Sequence, residues 1–87
     1  NIRELMHSMK NKEFTNVRKW VVENLDNDPS RLLRRIYSSL YDHVDNSSIP
    51  HVVIILGEYQ YKSAFVADQE INMLACLTEI MARAKFK

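Results

Sequence analysis

One glycine, Gly57, and two prolines, Pro29 and Pro50, are the only turn-specialised residues of those two kinds in 87. Hairpins, sandwiches and barrels need many tight turns, so this scarcity argues against an all-β domain. It also excludes a glycine-rich phosphate loop, which places several glycines in a short stretch. What remains is a helical chain, and the apolar residues recur at helical spacing.

Five helical segments follow from that spacing. Ile2, Leu5, Met6 and Met9 fall at i, i+3, i+4 and i+7 and predict a helix over Ile2 to Met9. Asn11 breaks this pattern and is expected to cap a second helix over Lys12 to Leu25, with a stripe of Phe14, Val17, Val21 and Leu25 flanked by Trp20. Asp28 and Pro29 form the clearest boundary: a capping side chain, then a proline where its missing N–H costs nothing. The third helix is predicted from Pro29 to Val44, lined by Leu33, Ile36, Tyr37, Leu40 and Val44. Ser48 and Pro50 predict the start of a fourth, over Ile49 to Phe65, apolar nearly all round at its start. Gly57 inside it is expected to allow close approach of a neighbouring helix. Asp68 caps a fifth, over Asp68 to Lys85, which carries two apolar stripes: Ile71, Leu74, Ala75, Thr78 and Met81, and Met73, Leu77, Ile80 and Ala84. A helix with two apolar faces is central in its bundle or lies at an interface. The expected architecture is therefore a single all-α domain over residues 1–87, a compact five-helix bundle.

Charge narrows the function classes. Twelve Lys+Arg against eleven Asp+Glu leave a net charge of +1, giving no global electrostatic case for nucleic acid or an anionic membrane. The longest apolar run, Val52 to Leu56, is far short of the ~20 residues that span a bilayer. A single cysteine excludes an internal disulfide and a Cys-rich zinc site. A chain starting at Asn1 without Met is expected to be a fragment or a processed product.

No catalytic spacing appears. His7, His43 and His51 lie in three different segments and make no shared ligand face, so no metal site is expected. Cys76 reads as a small buried hydrophobe in the last helix. Asn46-Ser47-Ser48 matches the glycosylation pattern by chance. Arg31, Arg34 and Arg35 place three cations at i, i+3 and i+4 on the exposed side of the third helix. They form either a solvated face balanced by Asp26 and Asp28 or a contact for a polyanion or acidic partner. Arg83, Lys85 and Lys87 suit the negative end of the last helix. Tyr59, Tyr61 and Phe65, at helical spacing, read as core or interface rather than a stacking platform for bases.

The run Ile54-Ile55-Leu56-Gly57-Glu58-Tyr59, then Tyr61, Ala67, Glu70 and Ala75-Cys76-Leu77, is distinctive. So are Met9-Lys10-Asn11-Lys12-Glu13 before an amphipathic helix and Ile36-Tyr37-Ser38 in the third. This collinear pattern, over nearly the whole chain, resembles the C-terminal part of the small ATPase subunit of the sliding-clamp loader of T-even-type tailed phages. It is more distantly similar to the C-terminal domain of replication factor C small subunits. The resemblance implies an upstream AAA+ ATPase region that is absent from this chain. That region would bring ATP, Mg²⁺, the sliding clamp and primer–template DNA. The C-terminal bundles of five subunits would close into a collar during DNA replication, in the cytoplasm of an infected bacterial cell. No catalytic, cofactor-binding or metal residue carries over, so the fragment is expected to be non-enzymatic. Candidate subunit-interface residues are Tyr59, Tyr61, Phe65, Met73, Leu77 and Ile80, although both stripes of the last helix are equally apolar and either suits the role. The alternatives are a stand-alone helical adaptor and a small DNA-binding domain using Arg31, Arg34 and Arg35.

Overall fold

The computed structural model describes residues 1–87 and contains six α-helices. They are α1 (Ile2–Lys10), α2 (Phe14–Glu23), α3 (Pro29–Ser38), α4 (Leu40–His43), α5 (Ile49–Lys62) and α6 (Gln69–Arg83), with a 3-10 turn over Asn46–Ser48. Three of the starts are capped by an Asx side chain. Asn1 accepts from the Arg3 and Glu4 N–H groups at 2.8 and 3.4 Å, Asp28 from Ser30 N–H at 3.0 Å, and Asp68 from Ile71 N–H at 3.0 Å. Each satisfies a donor that the helix leaves without an internal partner.

Two expected caps are corrected. Asn11 closes α1 rather than opening α2, whose start has no side-chain cap. After it Lys12 takes φ 58°, a left-handed conformation usually given to glycine or asparagine. Its ammonium group donates to the Met81 carbonyl in the last turn of α6, where a cation complements the helix dipole. Ser48 does not cap α5 either. Its hydroxyl oxygen accepts from Lys85 N–H at 2.9 Å, while Asp45 holds the Ser47 backbone N–H and hydroxyl. These bonds to Ser47 keep the Asp45 carboxyl below its usual range.

The third predicted helix is two. It breaks at Ser39, a buried residue whose hydroxyl donates to the Ile36 carbonyl at 2.7 Å and whose N–H bonds the same oxygen at 3.0 Å. A serine hydroxyl competing for a backbone carbonyl is a known way to interrupt helical pairing. α4 then carries Leu40 into the core, and Val44, extended just beyond it, is buried there too.

α6 is the centre of the bundle, packed on α5, α2 and α1, while α3 packs on the far side of α5. Its buried stripe is Met73, Cys76, Leu77, Ile80 and Met81, part of a single cluster of 20 buried apolar residues. Met73, Leu77 and Ile80 are therefore corrected from candidate interface to core: at 4%, 0% and 1% exposure they present no surface to another molecule. Beyond α6 the chain turns extended instead of continuing as helix to Lys85. Val44 and Phe86 form an antiparallel bridge, with Asp45 N–H on the Lys85 carbonyl at 2.8 Å and Lys87 N–H on the His43 carbonyl at 3.0 Å. Lys85 and Lys87 thus belong to this tie, not to the C-terminal turn of α6. Arg83 does lie in that turn and pairs with Glu79 at 3.3 Å.

Gly57 has no close neighbour. A Cβ built there meets nothing within 4 Å, so the expected close approach of another helix is overturned. The residue sits mid-α5 with ordinary helical geometry and open space beside it. Gly57→Ala is expected to raise stability by about 0.5–1 kcal/mol, from reduced freedom of the unfolded chain and better helix propensity. Urea denaturation measures it, and an unchanged or lowered midpoint would contradict the open site.

Candidate interaction surface

The bundle leaves two apolar surfaces uncovered. The first lies on α6. Ile71 is 67% exposed at the start of this helix, and Leu74, Ala75, Thr78 and Ala82 continue from it along one side. Phe14, 46% exposed at the start of α2, forms the other wall of a shallow groove over these residues. Thr78 is less polar than its formula, since its hydroxyl is spent on the Leu74 carbonyl at 2.7 Å. Glu79 and Arg83 rim the groove as an ion pair, and Arg18 reaches from α2 to Glu70 at 3.5 Å. Ile71 and Ala75 also line a second depression with Tyr59, Lys62 and Val66, so the apolar surface runs continuously from α2 across α6 to the end of α5.

The second surface is the outer side of α5. Val52, Ile55 and Leu56 face the core, which turns Ile54 and Tyr61 outward. At 100° per residue, seven residues return to within 20° of the same direction. They are 62% and 71% exposed, and Phe65, 70% exposed just beyond the helix, stacks its ring on Tyr61 with centroids 5.0 Å apart. Isolated exposed apolar residues are ordinary, but contiguous ones rimmed by charge mark an interaction surface.

The sequence-predicted residues divide accordingly. Tyr61 and Phe65 are on the surface. Tyr59 is half-buried: its ring packs against the core cluster, its hydroxyl donates to Glu79 at 3.0 Å, and burial together with this carboxylate pushes its pKa up to about 12. Of the two stripes on α6, the one led by Ile71 is the more exposed, although Leu74 is half-buried against the core and Met81 is buried. Phe14 was expected in the core because it shares a helical stripe with Val17 and Val21. It lies beside α6, at the open edge of the groove over Ile71 to Arg83, rather than between the helices.

Arg31, Arg34 and Arg35 are all exposed, and no carboxylate lies within ion-pair distance of any of them. Arg34 stacks over the Tyr37 ring, 5.0 Å from its centroid. Replacing all three by Gln is expected to change stability by less than about 1 kcal/mol, since exposed charges contribute little. A thermal melt lowered by much more would show that they belong to an internal network.

Cys76 is fully buried, and desolvation pushes its thiol up to about 12, the reverse of what a nucleophile needs. His51 stands apart from His7 and His43, and no group of three His, Cys, Asp or Glu residues is placed to hold a metal ion. No helix is long and apolar enough to cross a membrane. Searches against protein-family models and curated proteins return no match for this chain.

Proposed function

We propose that this chain is a non-catalytic oligomerisation domain, the collar domain of a clamp-loader ATPase subunit acting in DNA replication. The observation that carries the reading is a pair of exposed apolar groups on different helices, Phe14, Ile71 and Ala75 along α2 and α6, and Ile54, Tyr61 and Phe65 along and just beyond α5. A closed ring of identical contacts is heterologous: each subunit offers two different surfaces, one to each neighbour. A one-to-one contact with a single partner uses one such surface, whereas a ring needs both. The collinear resemblance to clamp-loader subunits supplies the identity of the ring. On that reading, ATP and Mg²⁺ belong to the upstream ATPase region, the partners are the other clamp-loader subunits, and the setting is the cytoplasm of a phage-infected bacterium.

The upstream coding sequence tests it. A strand followed by G-x-x-x-x-G-K-[ST] opening a helix is expected within the same reading frame, because backbone N–H groups and the Lys of that loop hold the phosphates. A reading frame that carries no such loop sinks the proposal.

A further inference from the structure

A cleft unrelated to either apolar surface collects positive charge. Arg3, His7 and Lys10 fall at i, i+4 and i+7 on the outer side of α1. Opposite them stand His43 at the end of α4 and Lys87 on the C-terminal tie. Between them is a concavity of about 210 Å³, lined also by Met6, Phe86 and Asp42, whose carboxylate is the only acidic side chain there. A chain of net charge +1 thus faces three of its 12 Lys+Arg and two of its three His into one cleft with one of its 11 acids.

The ion pairs of the molecule are Arg18–Glu70 and Arg83–Glu79, so Arg3, Lys10 and Lys87 have no carboxylate within ion-pair distance. Lys87 helps to hold the Asp45 carboxyl low from farther away, and His7 Nε2 lies 3.0 Å from the Asn11 side-chain amide. Helix-dipole complementarity accounts for Lys10 and His43, which sit in last turns. It does not account for Arg3, in the first turn of α1, where a cation is disfavoured. The far wall is held in place: Lys87 N–H bonds the His43 carbonyl at 3.0 Å, and its ammonium group donates to the Tyr41 carbonyl at 2.6 Å. An ammonium group has three donors, so two remain to be offered to a ligand.

We propose that this cleft binds a small oligophosphate anion. Arg3 and Lys10 are seven residues apart, about 10 Å along the helix axis. Two or three linked phosphates can lie along that row, with the Arg3 fork and the lysine ammonium groups as charge-assisted donors, and so meet more of the cleft's cations at once than a single phosphate does. A nucleic-acid strand is the poorer fit. The positive field is local, and the one phenyl ring at the cleft, Phe86, packs against the core, which leaves only the small imidazoles of His7 and His43 to stack on a base.

The test is calorimetric titration of the 87-residue chain with inorganic tripolyphosphate in low salt. Saturable binding is expected at one site, and Arg3→Gln with Lys10→Gln is expected to weaken it at least about tenfold, since two charge-assisted contacts are lost. Arg31→Gln with Arg34→Gln removes the same charge elsewhere and is expected to change affinity less than about twofold, with circular dichroism confirming that both double variants are folded. Absence of saturable binding overturns the proposal. So does an equal loss in both double variants, which would report net charge rather than a site. Binding of a short oligodeoxynucleotide without binding of tripolyphosphate overturns it as well, in favour of nucleic acid.

Discussion

Leu77→Glu is expected to abolish cooperative folding. Leu77 is 0% exposed at the middle of α6, the helix that α1, α2 and α5 all pack against. Removing its side chain to Ala would by itself cost about 2–5 kcal/mol. A carboxylate in its place adds an unpaired charge among apolar atoms. The buried polar residues of the molecule are Ser39 and Asn72, both uncharged, so no buried cation is available to pair with it. A domain of this size has a total stability at the low end of about 5–15 kcal/mol, so the native state would not survive. Far-UV circular dichroism should lose most of its helical signal, and urea should show no sigmoidal transition. Leu77→Met is the control. It nearly conserves volume, so it should remain folded at a cost below about 1.5 kcal/mol. A cooperative, helical Leu77→Glu would mean that the Leu77 side of α6 does not face the core.

That the molecule is helical, and where α3 and α6 begin, was legible in the residues themselves. Asp28-Pro29 and Asp68 mark starts through local chemistry, and the stripe on α1 coincides with its buried face, Leu5, Met6 and Met9. On α3 the match is partial: Leu33 and Ile36 are buried, but Tyr37 is 44% exposed and Leu32 takes its place in the core. The break at Ser39 was not legible. Tyr37, Leu40 and Val44 continue the stripe through it, and serine at a helix surface looks the same in sequence as serine bonding back to Ile36. The tie between Val44 and Phe86 was hidden for a different reason: it joins segments about 40 residues apart, each too short to show a period.

The assignment of the two stripes on α6 depended on something no pattern within α6 contains. Both are apolar, and the choice between them is made by where α5 and α2 stand. Met81 shows the limit of the stripe description. It was grouped with Ile71, yet α6 is covered from more directions at its C-terminal end, where Lys12 reaches the Met81 carbonyl, and Met81 is buried there. Gly57 misled in the opposite way. A helical glycine is costly, which invites a packing explanation, and none exists in this domain.

Ile71→Glu is expected to leave the domain folded and to break its assembly. Exposed positions tolerate substitution within about 0.5 kcal/mol, and a carboxylate in the first turn of α6 complements the helix dipole. On an assembled surface the same change buries a charge at the centre of the contact, costing at least about 2 kcal/mol, or roughly 30-fold in affinity per interface. Sedimentation of the full-length subunit should therefore shift from ring to smaller species while the helical signal is unchanged. Ile54→Glu on the outer side of α5 should do the same through the other surface. The decisive measurement is the mixture. If the two surfaces meet each other, the Ile71→Glu subunit keeps an intact α5 surface and the Ile54→Glu subunit keeps an intact α6 surface. Each pair can then form one good contact and no more, so the mixture should contain heterodimers where neither variant alone does. Dimers formed by each variant alone would mean that each surface pairs with its own copy, a two-fold arrangement that cannot close a ring of five. Normal assembly by both variants would remove the two apolar surfaces from the interface altogether, and the collar reading with them.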